Sequence, residues 1–111
     1  MMCEQRDIVI VPFPFSDLSS IKQRPVFILS SNRDIASSED VITCGLTSYL
    51  KETAHSVLID TRDCEEGALP KPSRIKVDKL FTLDKSIIRK KIARLSKSAF
   101  ERVQKKFVSL I

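Results

Sequence analysis

Three places in this 111-residue sequence hold side chains that could act on a charged substrate. Arg24 opens an apolar segment and is followed at once by Pro25. A guanidinium there offers a planar, permanently charged fork to phosphate or carboxylate oxygens. Thr47 and Ser48 close another apolar segment, and either hydroxyl could donate a hydrogen bond to such an oxygen. Arg74, Lys76 and Asp78 are spaced two apart, so in a strand all three project from one face. The carboxylate between these cations could take up a proton from a hydroxyl. Each place has an ordinary reading as well. Arg24 reads as a surface arginine at a strand start, and Thr47-Ser48 as a turn. The charged triplet reads as a cross-strand ion pair worth ~0–1 kcal/mol.

Several other chemistries are excluded. His55 is the single histidine, which rules out a two-histidine acid–base pair. No His or Asp stands near Thr47 or Ser48 to make a nucleophile triad. Cys3, Cys44 and Cys64 are odd in number and widely spaced, with no C-x-x-C. Alongside one histidine they make no zinc set and read as reduced thiols. Two glycines in the whole chain leave no phosphate-cradling loop of the P-loop type. Neither a metal nor a cofactor is expected.

The elements that must position these residues are mostly short strands. Asp7 to Phe15 and Arg24 to Ser30 form a pair of them, joined by a polar, glycine-free loop from Ser16 to Gln23 that carries Lys22. The first strand is apolar on both faces, with Ile8 and Ile10 pointing one way and Val9 and Val11 the other, so it belongs in a closed or covered sheet. Pro12 and Pro14 predict an end to its ladder pairing. Pro25 suits the first position of a strand, where the missing N–H costs least. A polar connector spans Asn32 to Asp40. Strands follow at Val41–Ser48, with Gly45 a bulge or close approach, and at Ser56–Asp60. Cys64 to Pro72 reads as a long loop with a turn at Gly67. Ser73–Leu80 is a fifth strand, with Ile75 and Val77 facing the core. Asp84–Lys91 is ambiguous, and Ile92–Leu95 is extended. Ser98 to Glu101 has the form of a capping box, followed by Phe100, Val103, Phe107 and Leu110 at helical spacing. Many short strands and one terminal helix make a mainly β (α+β) class, a small β-barrel capped by a helix.

The length suits one domain, residues 1–111. With no apolar run near the ~20 residues of a bilayer span and no signal-peptide core, a cytoplasmic protein is expected. Net charge is +5, unevenly placed. Residues 1–70 carry six Lys/Arg against eleven Asp/Glu, and residues 71–111 thirteen against three. That C-terminal excess is a positive field suited to a polyanion or an acidic partner, or else a solvated face.

The paired segments Asp7-Ile8-Val9-Ile10-Val11-Pro12-Phe13-Pro14-Phe15 and Arg24-Pro25-Val26-Phe27-Ile28-Leu29-Ser30 resemble the opening of the MazF/PemK toxin family. Leu46-Thr47-Ser48, the run from Gly67 to Ser73 and the run from Asp78 to Lys85 resemble its later blocks, so the likeness covers about Asp7 to Leu95. The resemblance implies an SH3-like barrel of the plasmid-maintenance-toxin type. It also implies a metal-independent, sequence-selective endoribonuclease acting on single-stranded RNA through the 2′-OH, leaving a 2′,3′-cyclic phosphate. Arg24, Thr47 and Asp78 would be catalytic, and Lys22, Ser48, Arg74 and Lys76 would bind RNA. A homodimer and an acidic antitoxin partner follow from the same likeness, the dimer contact expected from the apolar faces of the first strand and the terminal helix. Relatives usually carry glycine before the first aspartate, and here Arg6 stands there. Two rival readings share the barrel: a non-enzymatic toxin that poisons DNA gyrase, and a catalytically inactive nucleic-acid-binding barrel. Six Phe and one Tyr leave few aromatics for a base-stacking platform, which weighs against the second.

Overall fold

The computed structural model describes residues 3–14 and 21–111. Seven antiparallel strands form one curled sheet: β1 (Asp7–Pro14), β2 (Ile21–Ile28), β3 (Asp40–Thr47), β4 (Ser56–Ile59), β5 (Cys64–Gly67), β6 (Ser73–Asp84) and β7 (Lys90–Leu95). Their order across the sheet is β4-β6-β3-β2-β1-β7-β5. Two helices, α1 (Asn32–Ser37) and α2 (Lys97–Val108), complete it. This is the expected barrel-like sheet with a C-terminal helix. Phe15 and the loop residues 16–20 lie outside the described residues.

Both faces of the sheet are covered, as the two-sided apolar pattern of β1 requires. Ile8 enters a core with Phe27, Ile75, Val77, Ala93 and Leu95, closed by Ala99, Phe100 and Val103 of α2. Val9 and Val11 enter a second core with Val26, Ile28, Val41 and Ile35 of α1. These β1 side chains are fully buried within the chain. Ile8, Val9 and Val11 of β1 and Ala99, Phe100 and Val103 of α2 are thus used within the chain, whereas Ile10 is half-buried and Val108 of α2 is exposed. Other exposed large apolar side chains stand at Ile42, Tyr49, Leu50, Leu58, Leu80 and Ile111.

Several boundaries also differ from expectation. β2 begins at Ile21, so Lys22 and Gln23 belong to a strand and Pro25 sits inside it. The β2–β3 ladder nonetheless starts only at Val26, opposite Gly45, so the missing Pro25 N–H removes no bond to β3. β1 keeps pairing with β2 as far as Pro14, while its β7 ladder ends at Ile10 opposite Lys90. Pro12 and Pro14 thus end one ladder rather than both. β5 occupies part of the expected Cys64–Pro72 loop and pairs with β7. Gly67 closes it at φ +70°, where an added Cβ would lie 2.2 Å from the Ile92 carbonyl oxygen. The connector after β2 holds α1, whose N-cap Ser31 accepts from the Asp34 N–H. The cap of α2 is Ser96, accepting from the Ala99 N–H at 3.1 Å. It precedes the expected Ser98 by two residues.

β6 is longer than expected and irregular. Gly45 of β3 pairs with Lys76 and Cys44 with Leu80, so Val77, Asp78 and Lys79 form a bulge. Burial still alternates through Val77, which joins Ile75 in the core as expected, while residues 78 to 82 are exposed and pairing with β3 resumes only at Leu80.

Ion pairs lock the N-terminal segment to the sheet. Asp7 is 1 % exposed and accepts from Arg94 Nε at 2.7 Å and from the Glu4 N–H at 2.8 Å. Arg94 also pairs with Glu4 and Glu66, and its hydrogen bond to Asp7 raises its already high pKa further. Lys91 pairs with Glu66, and Arg102 with Asp63. Three of the thirteen C-terminal cations, Lys91, Arg94 and Arg102, are thus matched to carboxylates from the acidic first part of the chain.

Candidate active site

Past Val26 and Gly45, β2 and β3 part, and a groove opens between them. Arg24, Pro25 and Leu46 line both of its halves. One half, about 290 Å³, adds Phe13, Gly45, Lys76, Lys79 and Phe81. The other, about 320 Å³, adds Thr47, Ser48, Lys71 and Ser73, with Leu69, Pro70, Ile10 and Ile92 as apolar wall. The fold places each side chain for a local reason. Arg24 stands on β2 opposite Val11 of β1, beyond the end of the β3 ladder. Thr47 ends β3 opposite Arg74. Its Oγ1 accepts from the Tyr49 N–H at 3.1 Å, which turns the chain and leaves the hydroxyl proton available to a ligand. Lys76 and Lys79 reach the groove from either end of the β6 bulge.

The groove brings together four of the seven residues singled out in the sequence: Arg24, Thr47, Ser48 and Lys76. It does not bring in the other three. Lys22 is exposed on β2 opposite Phe13 and outside the lining. Arg74 donates to the Leu50 carbonyl at 2.9 Å and to Ser56 Oγ at 3.2 Å, bracing the segment after β3 against β4. Asp78 sits exposed on the bulge, outside the lining. Its charge acts on the buried Cys44 thiol, whose pKa is pushed up to about 12, chiefly by burial and secondly by Asp78. That thiol is inert at neutral pH.

Sequence reasoning did not single out Lys71, Lys79, Phe13 or Phe81. The lysines were visible only as part of a general basic excess. Phe13 and Phe81 looked like strand residues, yet their rings pack 5.1 Å apart at 56° on the groove. Phe81 remains 38 % exposed. Four cations, two terminal hydroxyls and an aromatic floor make a surface that can hold a phosphodiester and an unpaired base together.

A small curled sheet with a terminal helix and a cation-lined groove defines a compact barrel-type protein. Residues 4–111 match the family model described as PemK-like, MazF-like toxin of type II toxin-antitoxin system, and the chain belongs to that family. A search of curated proteins finds no match. Solved structures agree in fold. The Mycobacterium tuberculosis toxin MazF-mt6 is 22 % identical, with 94 % of each chain covered and a TM-score of 0.76. A MazE–MazF structure from Deinococcus radiodurans is 19 % identical, covering 99 % of this chain and 96 % of that one at a TM-score of 0.80. An endoribonuclease in complex with its cognate antitoxin, from a mycobacterial species, is 16 % identical over 97 % and 93 % at a TM-score of 0.78.

Proposed function

We propose that this toxin is a metal-independent, sequence-selective endoribonuclease that cleaves single-stranded RNA and so arrests translation. The observation that carries the reading is the convergence of Arg24 with Thr47 and Ser48 in one groove extended by Lys71, Lys76 and Lys79. In the reaction the 2′-oxygen attacks the adjacent phosphorus. The new 2′-O–P bond forms as P–O5′ breaks, leaving a 2′,3′-cyclic phosphate and a 5′-hydroxyl. The proton lost by the 2′-OH is balanced by the one taken up at O5′. Charge builds on the non-bridging oxygens, and the Arg24 guanidinium matches it with two parallel donors. Thr47 donates its hydroxyl proton to the same phosphate, and Ser48 and Lys76 hold the flanking backbone. Asp78, whose carboxylate stands outside the groove lining, would take the 2′-OH proton directly or through a bridging water. Arg74 and Lys22 act at longer range on the polyanion.

An antitoxin with an acidic segment, ordered on binding, would cover the groove cations. MazE–MazF and endoribonuclease–antitoxin structures among the fold's neighbours favour that partner. We further infer a homodimer acting in the cytoplasm. Its contact would use exposed apolar side chains such as Ile42 and Leu80 rather than the buried face of β1.

The test is digestion of a long single-stranded RNA in EDTA, with analysis of the new ends. Discrete cuts bearing 2′,3′-cyclic phosphates are expected. A folded protein that leaves RNA intact but inhibits gyrase supercoiling would replace this reading with the gyrase one. Asp78→Asn decides the proton route: a loss of two orders of magnitude or more makes Asp78 the acceptor, and near-normal cleavage assigns that step to water.

A further inference from the structure

We propose that Arg74 is a positioning residue for the cleavage step, holding the β3–β4 connection so that the Thr47 hydroxyl stays set for the groove. This rests on the RNA-cleaving reading and deepens it, giving a cation outside the groove lining a role separate from its long-range charge. The connection needs such a tether. Every residue from 48 to 54 is exposed, so no buried side chain anchors this stretch. A segment without buried contacts opens at little cost. Arg74 stands on β6 between Thr47 of β3 and Leu58 of β4. Its guanidinium reaches the connection at both ends. Nε donates to the Leu50 carbonyl at 2.9 Å and Nη1 to Ser56 Oγ at 3.2 Å. Ser56 is buried at the start of β4 and also accepts from Thr53 Oγ1 at 2.8 Å. The Leu50 end bears on the chemistry. Leu50 directly follows Tyr49, whose N–H donates to Thr47 Oγ1 at 3.1 Å. With Leu50 fixed, that N–H keeps its place on the oxygen and the hydroxyl proton is left for a phosphate. With Leu50 released, the Thr47 side chain is free to change rotamer. Misplacing a reacting partner by about 1 Å can cost 10²-fold in rate. Lysine is no substitute here, because one ammonium on a flexible stem lacks the planar fork that spans Leu50 and Ser56.

The experiment separates binding from chemistry. Single-turnover cleavage of a defined RNA in EDTA is followed against enzyme concentration, giving a half-saturation point and a saturated rate. Arg74→Lys keeps the charge and loses the fork. It should half-saturate within about 2-fold of wild type and cleave about 10- to 100-fold more slowly at saturation. In a Thr47→Val background the same substitution should slow cleavage no further, because the hydroxyl it acts through is gone. Amide hydrogen exchange at Tyr49, measured without RNA, should be faster in Arg74→Lys than in wild type. Thermal melts verify folding. Should Arg74→Lys fail to fold, Ser56→Ala takes its place. It leaves the guanidinium charge, removes the far acceptor, and should slow the saturated rate only while the Thr47 hydroxyl is present. A wild-type saturated rate in the folded variant, a change in half-saturation alone, or an equal loss with and without the Thr47 hydroxyl overturns the positioning role. Failure of wild type to cut RNA would count against the nuclease reading instead. Tyr49 exchange then decides the tether by itself, and exchange unchanged by the substitution overturns it.

Discussion

Arg6 is the one non-glycine residue among those described with positive φ, at +80°. A left-handed backbone costs an L-residue roughly 1–2 kcal/mol, which is the physical reason a glycine suits this site. The arginine offsets that cost with its side chain. Nη1 donates to Glu65 Oε1 at 2.8 Å and to the Leu95 carbonyl at 2.7 Å, tying the residue before β1 to β5 and β7. Arg6→Gly should therefore change stability by less than ~1 kcal/mol, strain relief balancing the lost anchor. Arg6→Ala keeps the strain and loses the anchor, so it should melt below Arg6→Gly. Equal melting of the two would mean the position carries no strain. The hydrogen bond from Arg6 holds the Glu65 carboxyl below the usual carboxylate range. A depressed carboxylate stabilises the fold above its unfolded pKa and loses that contribution as pH falls through the folded value. The gap between wild type and Arg6→Ala, followed by denaturant midpoints, should accordingly narrow between neutral pH and about pH 3.

At the scale of elements, β1, β2, β3, β4 and β7 were legible because their apolar residues recur with a strand's period and both faces of β1 are filled. The terminal helix was legible from Phe100, Val103, Phe107 and Leu110, all of which pack on the first core. Its start was misplaced because Ser96 and Ser98 both precede the apolar repeat, and Glu101 favoured the wrong one. Ser96→Ala should cost ~1 kcal/mol and Ser98→Ala a few tenths, measured by chemical denaturation. The reverse order would restore the capping box at Ser98. α1 escaped notice because six residues with one buried side chain, Ile35, show no periodicity. β5 escaped because four residues paired to one neighbour read as loop. The bulge at Val77–Lys79 matters most for the site. It cannot be read from strand period, and it brings Lys79 to the groove lining while Asp78 stays outside that lining. Arg24, Thr47 and Ser48 were found through ordered motifs, and Phe81 was missed because an exposed strand phenylalanine looks like any core residue in sequence.

At the scale of the molecule, the charge asymmetry has two uses. Part of the C-terminal excess pairs with the acidic first part through Arg94, Lys91 and Arg102. Another part, Lys71, Lys76 and Lys79, joins Arg24 along the groove. Four groove cations predict a log–log salt slope near −3 for short single-stranded RNA, at about −0.7 per neutralised phosphate. A slope near −7 would mean that the whole basic part of the chain, not the groove, holds RNA. Stabilisation of charge on the cleaving phosphodiester by Arg24 is open to direct measurement. Single-turnover cleavage of a defined RNA in EDTA is compared for wild type, Arg24→Lys and Arg24→Ala, with all three shown to be folded. Arg24→Ala should lose about 10²- to 10³-fold, with only partial recovery in Arg24→Lys, whose point charge lacks the two-pronged geometry. Equal rates for wild type and Arg24→Ala would contradict that stabilisation.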